Sequence, residues 1–351
     1  MELKGRTVYI ARDHFLDEVM NEVQRQLEAG GARVIRGPES APGQKVSLAP
    51  GVAAPYLGEA EVAMFSSRNL APRELIAGAP RLLGIVNPTI GLETVDVDAA
   101  SELGVIVGHG ATPENFNSMA EATMMFILML LYKPDLTREV TRGQRQRPRP
   151  VREAAWARML MNRTVGIIGF GRIGRAVARR LQGWDVRILA NDPFIDPASV
   201  PPYATLVDLD TLLRESDVVT IHIAVTPQSR GLMNAAAFAR MKPTAYFVNT
   251  ARGDAVDEPA LVAALRERRI AGAALDNTLI EPPPADHPLQ GMDRVILTPH
   301  MVGHTSEVYG SFAPAAVENV MRVLAGELPL HCKNPEIADR FRARYRRLRG
   351  G

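Results

Sequence analysis

Four short stretches of this 351-residue chain carry residue types at spacings with chemical consequences. The first is Gly169-Phe-Gly171-Arg172-Ile173-Gly174, which follows an apolar run, Val165–Ile168, and opens a helical pattern. In such a run Gly169 permits a tight turn and Gly171 lets a pyrophosphate approach the backbone. Gly174 lets helix pack closely on strand. The helix start then offers unpaired N–H groups and a positive dipole end to phosphate. Asp192 lies 192 − 171 = 21 residues beyond Gly171, near the ~20 expected of a carboxylate that binds an adenine ribose. Taken singly, Asp192 reads equally well as a turn or cap residue. With the glycines upstream the ribose reading wins. A carboxylate there repels a 2′-phosphate and no arginine follows at once, so the expected cofactor is NAD, not NADP.

The other three stretches are Phe247-Val-Asn-Thr250-Ala251-Arg252-Gly, Asp276 with Glu281-Pro282, and Thr298-Pro-His300 with Gly303. An arginine at a strand's carboxyl end can grip a carboxylate through two parallel hydrogen bonds. Histidine can give or take a proton near neutral pH. A carboxylate on its other ring nitrogen fixes the tautomer and steadies the charged ring, the role that falls to Glu281. Each residue has a plainer reading: Arg252 a surface charge, Glu281 a loop acid, His300 a packed histidine. Their joint occurrence, in order and downstream of a nucleotide fingerprint, favours proton transfer beside a dinucleotide. No metal site is assigned. His222 reads as a packed strand-end histidine, and Ser118 with Glu121 as a helix-capping pair.

These residues need a scaffold that brings strand ends together. Short apolar runs alternate with amphipathic stretches, the pattern of a doubly wound α/β protein. Strands are expected at Thr7–Ala11, Arg33–Arg36, Val62–Phe65, Leu82–Val86 and Val105–Val107. A second series covers Val165–Gly169, Val186–Ala190, Val218–Ile223, Ala245–Asn249, Ala271–Leu275 and Val295–Leu297. Helices are expected at Asp17–Ala29 and from about Ser118 to Leu131. The length suits two domains. With 46% apolar and 23% charged residues and a net charge of +2, the chain shows no bias toward nucleic acid or membrane. A single cysteine, Cys332, excludes an intrachain disulfide and fits a reducing compartment. The first residues lack the apolar core of a signal peptide, so a soluble, cytoplasmic protein is expected. The arginine-rich stretches Arg138–Arg152 and Arg340–Arg349 read as a solvated linker and a frayed terminus. The first, with two prolines, cannot be one helix.

From about residue 55 to 336 the chain resembles the D-isomer-specific 2-hydroxyacid dehydrogenase family. The matching pattern is Gly169–Gly174, Asp192, Asn249–Gly253, Asp276 with Glu281-Pro282, and Thr298–His300. The resemblance implies hydride transfer between NAD and C2 of a D-2-hydroxy or 2-keto acid, with Arg252, Glu281 and His300 as the catalytic set. It implies that Arg172 and Ile173 touch the pyrophosphate, that Thr250 and Ala251 approach the nicotinamide by backbone, and that Asp276 holds the carboxamide. Arg252, His300 and Gly303 join the cofactor set. It further implies a Rossmann domain, residues 118–304, inserted into a flavodoxin-like substrate domain, residues 1–117 and 305–351. The active cleft then lies at the junction, and a homodimer is expected. Thr89, Ile90 and Gly91, with Arg252 and His300, are the expected substrate contacts, although Pro88 removes one N–H donor there. Phe65 stands where phosphoglycerate-using relatives carry an arginine, and Arg68 follows three residues on. Phosphite oxidation on the same scaffold and an NAD-sensing corepressor are the alternatives. Formate chemistry is disfavoured, because Glu281 stands where formate enzymes pair the histidine with glutamine.

Overall fold

The computed structural model describes residues 3–39, 46–48, 50–147 and 156–350. The chain divides into two compact units, Met1–Glu114 with Thr305–Gly351, and Asn115–His304. In the first unit the strands are β1 (Thr7–Ile10), β2 (Arg33–Arg36), β3 (Val46–Ser47), β4 (Val62–Met64), β5 (Asn69–Leu70), β6 (Gly84–Asn87) and β7 (Ile106–His109). Its helices are α1 (Asp17–Ala29), α2 (Pro50–Leu57), α3 (Arg73–Ala77) and α4 (Val97–Glu102), followed near the C-terminus by α11 (Ser306–Leu324) and α12 (Ala338–Arg349). Helix α5 (Pro113–Tyr132) carries the chain into the second unit. That unit holds α6 (Pro134–Thr141), β8 (Thr164–Ile168), α7 (Arg172–Leu181), β9 (Arg187–Asn191), β10 (Ala204–Leu206), α8 (Leu209–Glu215) and β11 (Val218–Ile221). It continues through α9 (Ala235–Arg240), β12 (Tyr246–Asn249), α10 (Glu258–Arg266), β13 (Gly272–Leu275) and β14 (Val295–Leu297).

Among the described residues the first unit has a parallel sheet of order β2-β1-β4-β6-β7, the flavodoxin-type winding. Its strands alternate between two cores. Val8, Ile10, Val62 and Met64 face α1 and α11, whereas Tyr9, Ala63 and Ile85 face α3 and α4. Burial on both faces explains the near-continuous apolar runs by which these strands were readable. The second unit has the parallel order β10-β9-β8-β11-β12-β13-β14. That is a dinucleotide-type sheet whose order reverses between β8 and β11. Helices α5 and α7 cover one face, with α8, α9 and α10 on the other.

Four sequence expectations need correction. Helix α5 begins at Pro113, five residues before Ser118, because proline's fixed φ suits the first helical position. Ser118 is therefore no cap: its Oγ donates to the Gly303 carbonyl at 3.0 Å, and Glu121 pairs with Arg180. The tail is not frayed. Residues 338–349 form α12, with Phe341 fully buried and Tyr345 and Leu348 packed on the core at i, i+4 and i+7. Arginines fill the remaining faces. Of the first arginine-rich stretch, residues 138–141 end α6, and residues 148–152 lie outside the described residues. Strand β10 and the short β3·β5 ladder escaped the sequence reading. Among the described residues no helix is long and apolar enough to cross a membrane.

Candidate active site

The functional segments of the second unit all leave the carboxyl edge of its sheet, where ligands of open parallel sheets bind. The turn after β8 shows why glycine stands at each motif position. Gly169 has φ +86°, and a Cβ there would sit 2.7 Å from the His222 carbonyl oxygen. At Gly174 a Cβ would lie 2.1 Å from the Gly169 carbonyl oxygen, so only glycine lets α7 start so close to β8. At Gly171 a Cβ would meet nothing within 4 Å. That open backbone, at the start of α7, is the cradle a pyrophosphate requires. The residues present fit a dinucleotide.

Asp192 follows β9 directly. Its Oδ2 accepts from the Phe170 N–H at 2.9 Å and its Oδ1 from the Phe194 N–H at 3.0 Å. The carboxylate thus ties the glycine turn to the end of β9. Substituting it tests two effects at once. Asp192→Asn keeps an acceptor for Phe170 but removes the charge, and it narrows the NADH-over-NADPH preference at least tenfold. Asp192→Ala loses both and also weakens NADH binding itself. Dissociation constants from nicotinamide fluorescence check this, and an unaltered preference in both variants contradicts the ribose role.

After β12 the chain turns sharply. Buried Asn249 accepts from the Ala251 N–H at 2.9 Å and donates to the Arg252 carbonyl at 2.9 Å. Thr250 Oγ1 bonds Thr123 Oγ1 of α5 at 3.0 Å, and Arg252 Nη1 donates to the Ala251 carbonyl at 2.8 Å. A Cβ on Gly253 would lie 2.4 Å from the Thr278 carbonyl group. The arginine loop therefore packs against the segment that leads to Glu281.

His300 and Glu281 meet: Nδ1 lies 2.8 Å from Oε2, and both side chains are partly exposed. His300 adopts φ +56°, a left-handed conformation that histidine visits more readily than most residues. Its neighbours hold it there. The His300 N–H donates to the Asp276 carbonyl at 2.8 Å. The Asp276 carboxylate, 2% exposed, accepts from Thr298 Oγ1 at 2.6 Å and from the Met301 and Val302 N–H groups at 3.0 and 3.2 Å. Asp276 is thus first an anchor of the histidine loop. A clamp the sequence did not reveal, His287 on Glu258 at 3.0 Å, secures the Glu281 loop to α10, with Glu258 also accepting from the Leu279 N–H. His287 matches no motif position, so only coordinates expose it.

His222 is packed at the end of β11, its Nε2 3.0 Å from Thr220 Oγ1. Burial pushes its ring from the ordinary 6.5 down to about 3. Below pH 6.5 the unfolded chain binds a proton that the folded chain refuses, so stability falls as pH drops from 6.5 toward 3. The slope reaches at most about 1.4 kcal/mol per pH unit. His222→Gln flattens the urea-midpoint profile over that window; a profile identical to wild type contradicts the assignment.

In the first unit, the turn after β6 is built on Asn87, which accepts from the Thr89 N–H and Oγ1, both at 2.9 Å, and donates to the Gly91 carbonyl. The Thr89 N–H is thereby spent, which shifts the expected carboxylate donors to Ile90 and Gly91. Phe65 is buried against Tyr9, a core residue.

The family model described as D-isomer specific 2-hydroxyacid dehydrogenase, NAD binding domain, matches residues 124–302. The chain is 38% identical over 277 residues to the glyoxylate reductase of Thermofilum pendens, covering 75% of this chain and 78% of that one. To the D-3-phosphoglycerate dehydrogenase of Mycobacterium bovis it is 33% identical over 276 residues, 77% of this chain, and it spans about half the length of that relative. The TT0316 protein of Thermus thermophilus has the same fold at a TM-score of 0.76 and 29% identity, over 93% of this chain and 99% of that one. The chain belongs to the D-isomer-specific 2-hydroxyacid dehydrogenase family, and its chemistry is NAD-dependent oxidoreduction of hydroxy and keto acids.

Proposed function

We propose that the protein interconverts a D-2-hydroxy acid and its 2-keto acid at C2, with His300 exchanging the hydroxyl proton. Bound nicotinamide supplies or accepts the hydride. Glu281, on His300 Nδ1, leaves Nε2 as the nitrogen that meets the substrate oxygen and balances the charge of the protonated ring. Arg252 grips the substrate carboxylate or carbonyl. Gly169, Gly171, Arg172, Ile173 and Gly174 receive the pyrophosphate, and Asp192 the adenine ribose. Thr250, Ala251, Asp276 and Gly303 line the nicotinamide side, with residues 118–304 as the cofactor domain and the remainder as the substrate domain. A cytoplasmic homodimer completes the reading.

The observation that carries this reading is the 2.8 Å His300–Glu281 pair on a loop anchored to Asp276, at the same carboxyl edge of the sheet as the dinucleotide-type glycine turn. The names of the two relatives, a glyoxylate reductase and a D-3-phosphoglycerate dehydrogenase, support a 2-keto acid substrate. A panel of glyoxylate, pyruvate, hydroxypyruvate and oxaloacetate with NADH, followed at the nicotinamide absorbance, tests it. Turnover of at least one is expected, with a D product wherever C2 becomes a stereocentre. No turnover of any, with NADH still bound, contradicts the enzyme reading and favours a sensor.

A further inference from the structure

Glu281 stands on a loop that is poorly equipped to brace itself. The three residues after it, Pro282, Pro283 and Pro284, have no N–H to donate. Leu279, Ile280 and Glu281 are all exposed, so little packing holds them. Among the described residues the Glu281 carboxylate bonds only His300. Its position is therefore set by whatever fixes the backbone on either side.

One carboxylate does so at both flanks. Glu258, the first residue of α10, accepts through Oε2 from the Leu279 N–H at 3.2 Å, 281 − 279 = 2 residues before Glu281. Its Oε1 lies 3.0 Å from His287 Nε2, 287 − 281 = 6 residues after Glu281. The two side chains are 18% and 5% exposed. The Leu289 N–H donates to His287 Nδ1 at 3.3 Å, so that nitrogen offers the lone pair and Nε2 carries the proton that Glu258 accepts. The far end of the loop closes on the same histidine. The His287 N–H donates to the Pro284 carbonyl at 3.0 Å, and Gln290 Nε2 donates to that carbonyl at 2.8 Å. Because α10 follows the Arg252 segment, the Glu258 side chain joins the chain after β12 to the chain after β13. A buried histidine–carboxylate pair stabilises a fold less than apolar side chains of the same volume can, since both groups give up water. What it supplies is direction: two hydrogen bonds that bracket an exposed acid.

We propose that Glu258 and His287 are positioning residues for the reaction, holding Glu281 where its carboxylate meets His300 Nδ1 and so aiming Nε2 at the substrate oxygen. This rests on the reading of His300 and Glu281 as the proton-exchanging pair. The two residues act through Glu281 and not on the substrate.

A double-mutant cycle in kcat for keto-acid reduction tests this. His287→Leu keeps apolar bulk but loses the N–H, and it lowers kcat about 10–100-fold, the scale of a 1 Å misplacement. KM and the NADH dissociation constant stay nearly unchanged. His287→Gln, whose amide can donate to Glu258, recovers most of the rate. In a Glu281→Ala background His287→Leu costs little more, because no carboxylate is left to position. The alkaline fall of the rate also begins at lower pH in His287→Leu, since a protonated ring whose carboxylate partner is displaced gives up its proton more readily. Should His287→Leu fail to fold, Glu258→Gln keeps an acceptor for one donor and opposes the other with an N–H, and it shows the same pattern. Losses that multiply in full in the Glu281→Ala background, an unmoved alkaline limb, or wild-type kcat in His287→Leu would reduce the pair to a strut of the fold and overturn the proposal. Wild-type kcat in Glu281→Ala alone would instead sink the acid–base reading on which it rests.

Discussion

His300→Ala lowers kcat for keto-acid reduction by about 10²–10⁴-fold, the usual contribution of a positioned general acid, and leaves NADH affinity nearly unchanged. The affinity survives because the histidine loop is anchored through groups that the substitution spares. The Asp276 carboxylate holds the Met301 and Val302 N–H groups and Thr298 Oγ1, and the Asp276 carbonyl holds the backbone of residue 300 itself. The backbone at φ +56° complicates an alanine substitution, since alanine resists the left-handed region. His300→Asn resolves this, because asparagine enters that region readily yet cannot carry the proton. Both variants should lose rate alike. Recovery of rate in the asparagine variant would assign the alanine loss to a distorted loop and not to chemistry.

Gly174→Val raises the NADH dissociation constant at least 100-fold and lowers stability by about 1–3 kcal/mol, the range for inserting carbon into packed structure. The new Cβ would stand 2.1 Å from the Gly169 carbonyl oxygen. That carbonyl belongs to a tight turn at φ +86°, packed so closely that even a Cβ on Gly169 would come within 2.7 Å of the His222 carbonyl oxygen. Relief must come from the start of α7 lifting away from β8, which disperses the N–H groups that meet the pyrophosphate. Fluorescence titration and urea unfolding measure the two effects. A variant with wild-type affinity would show that the cofactor does not rest on this turn.

How much of this was legible in the sequence depended on what constrains each residue. The glycine turn was readable because backbone geometry tolerates no substitute at positions 169 and 174. Strands such as Val218–Ile221 and Val295–Leu297 were readable because burial demands unbroken apolar runs. Strand β10, at the sheet edge and only half-buried, has no such demand and leaves little trace. Ser118 and Glu121 carry a capping pattern, yet the 3.6-residue period does not say where a helix starts, and Pro113 decided it. In α12 the arginines dominate the composition and hide an apolar stripe of three residues. The role of Asp276 was half-read: its motif position was plain, but its bonds to the Thr298–Val302 loop needed coordinates.

The most direct test of the account is the distance from His300 Nε2 to the C2-borne oxygen of a 2-keto acid in a crystal of the protein with NADH and oxamate, a non-reacting mimic of pyruvate. Proton transfer requires about 2.6–3.2 Å, with Nδ1 still on Glu281 and the oxamate carboxylate on Arg252. A histidine ring that stays on Glu281 while oxamate binds out of its reach would contradict the account.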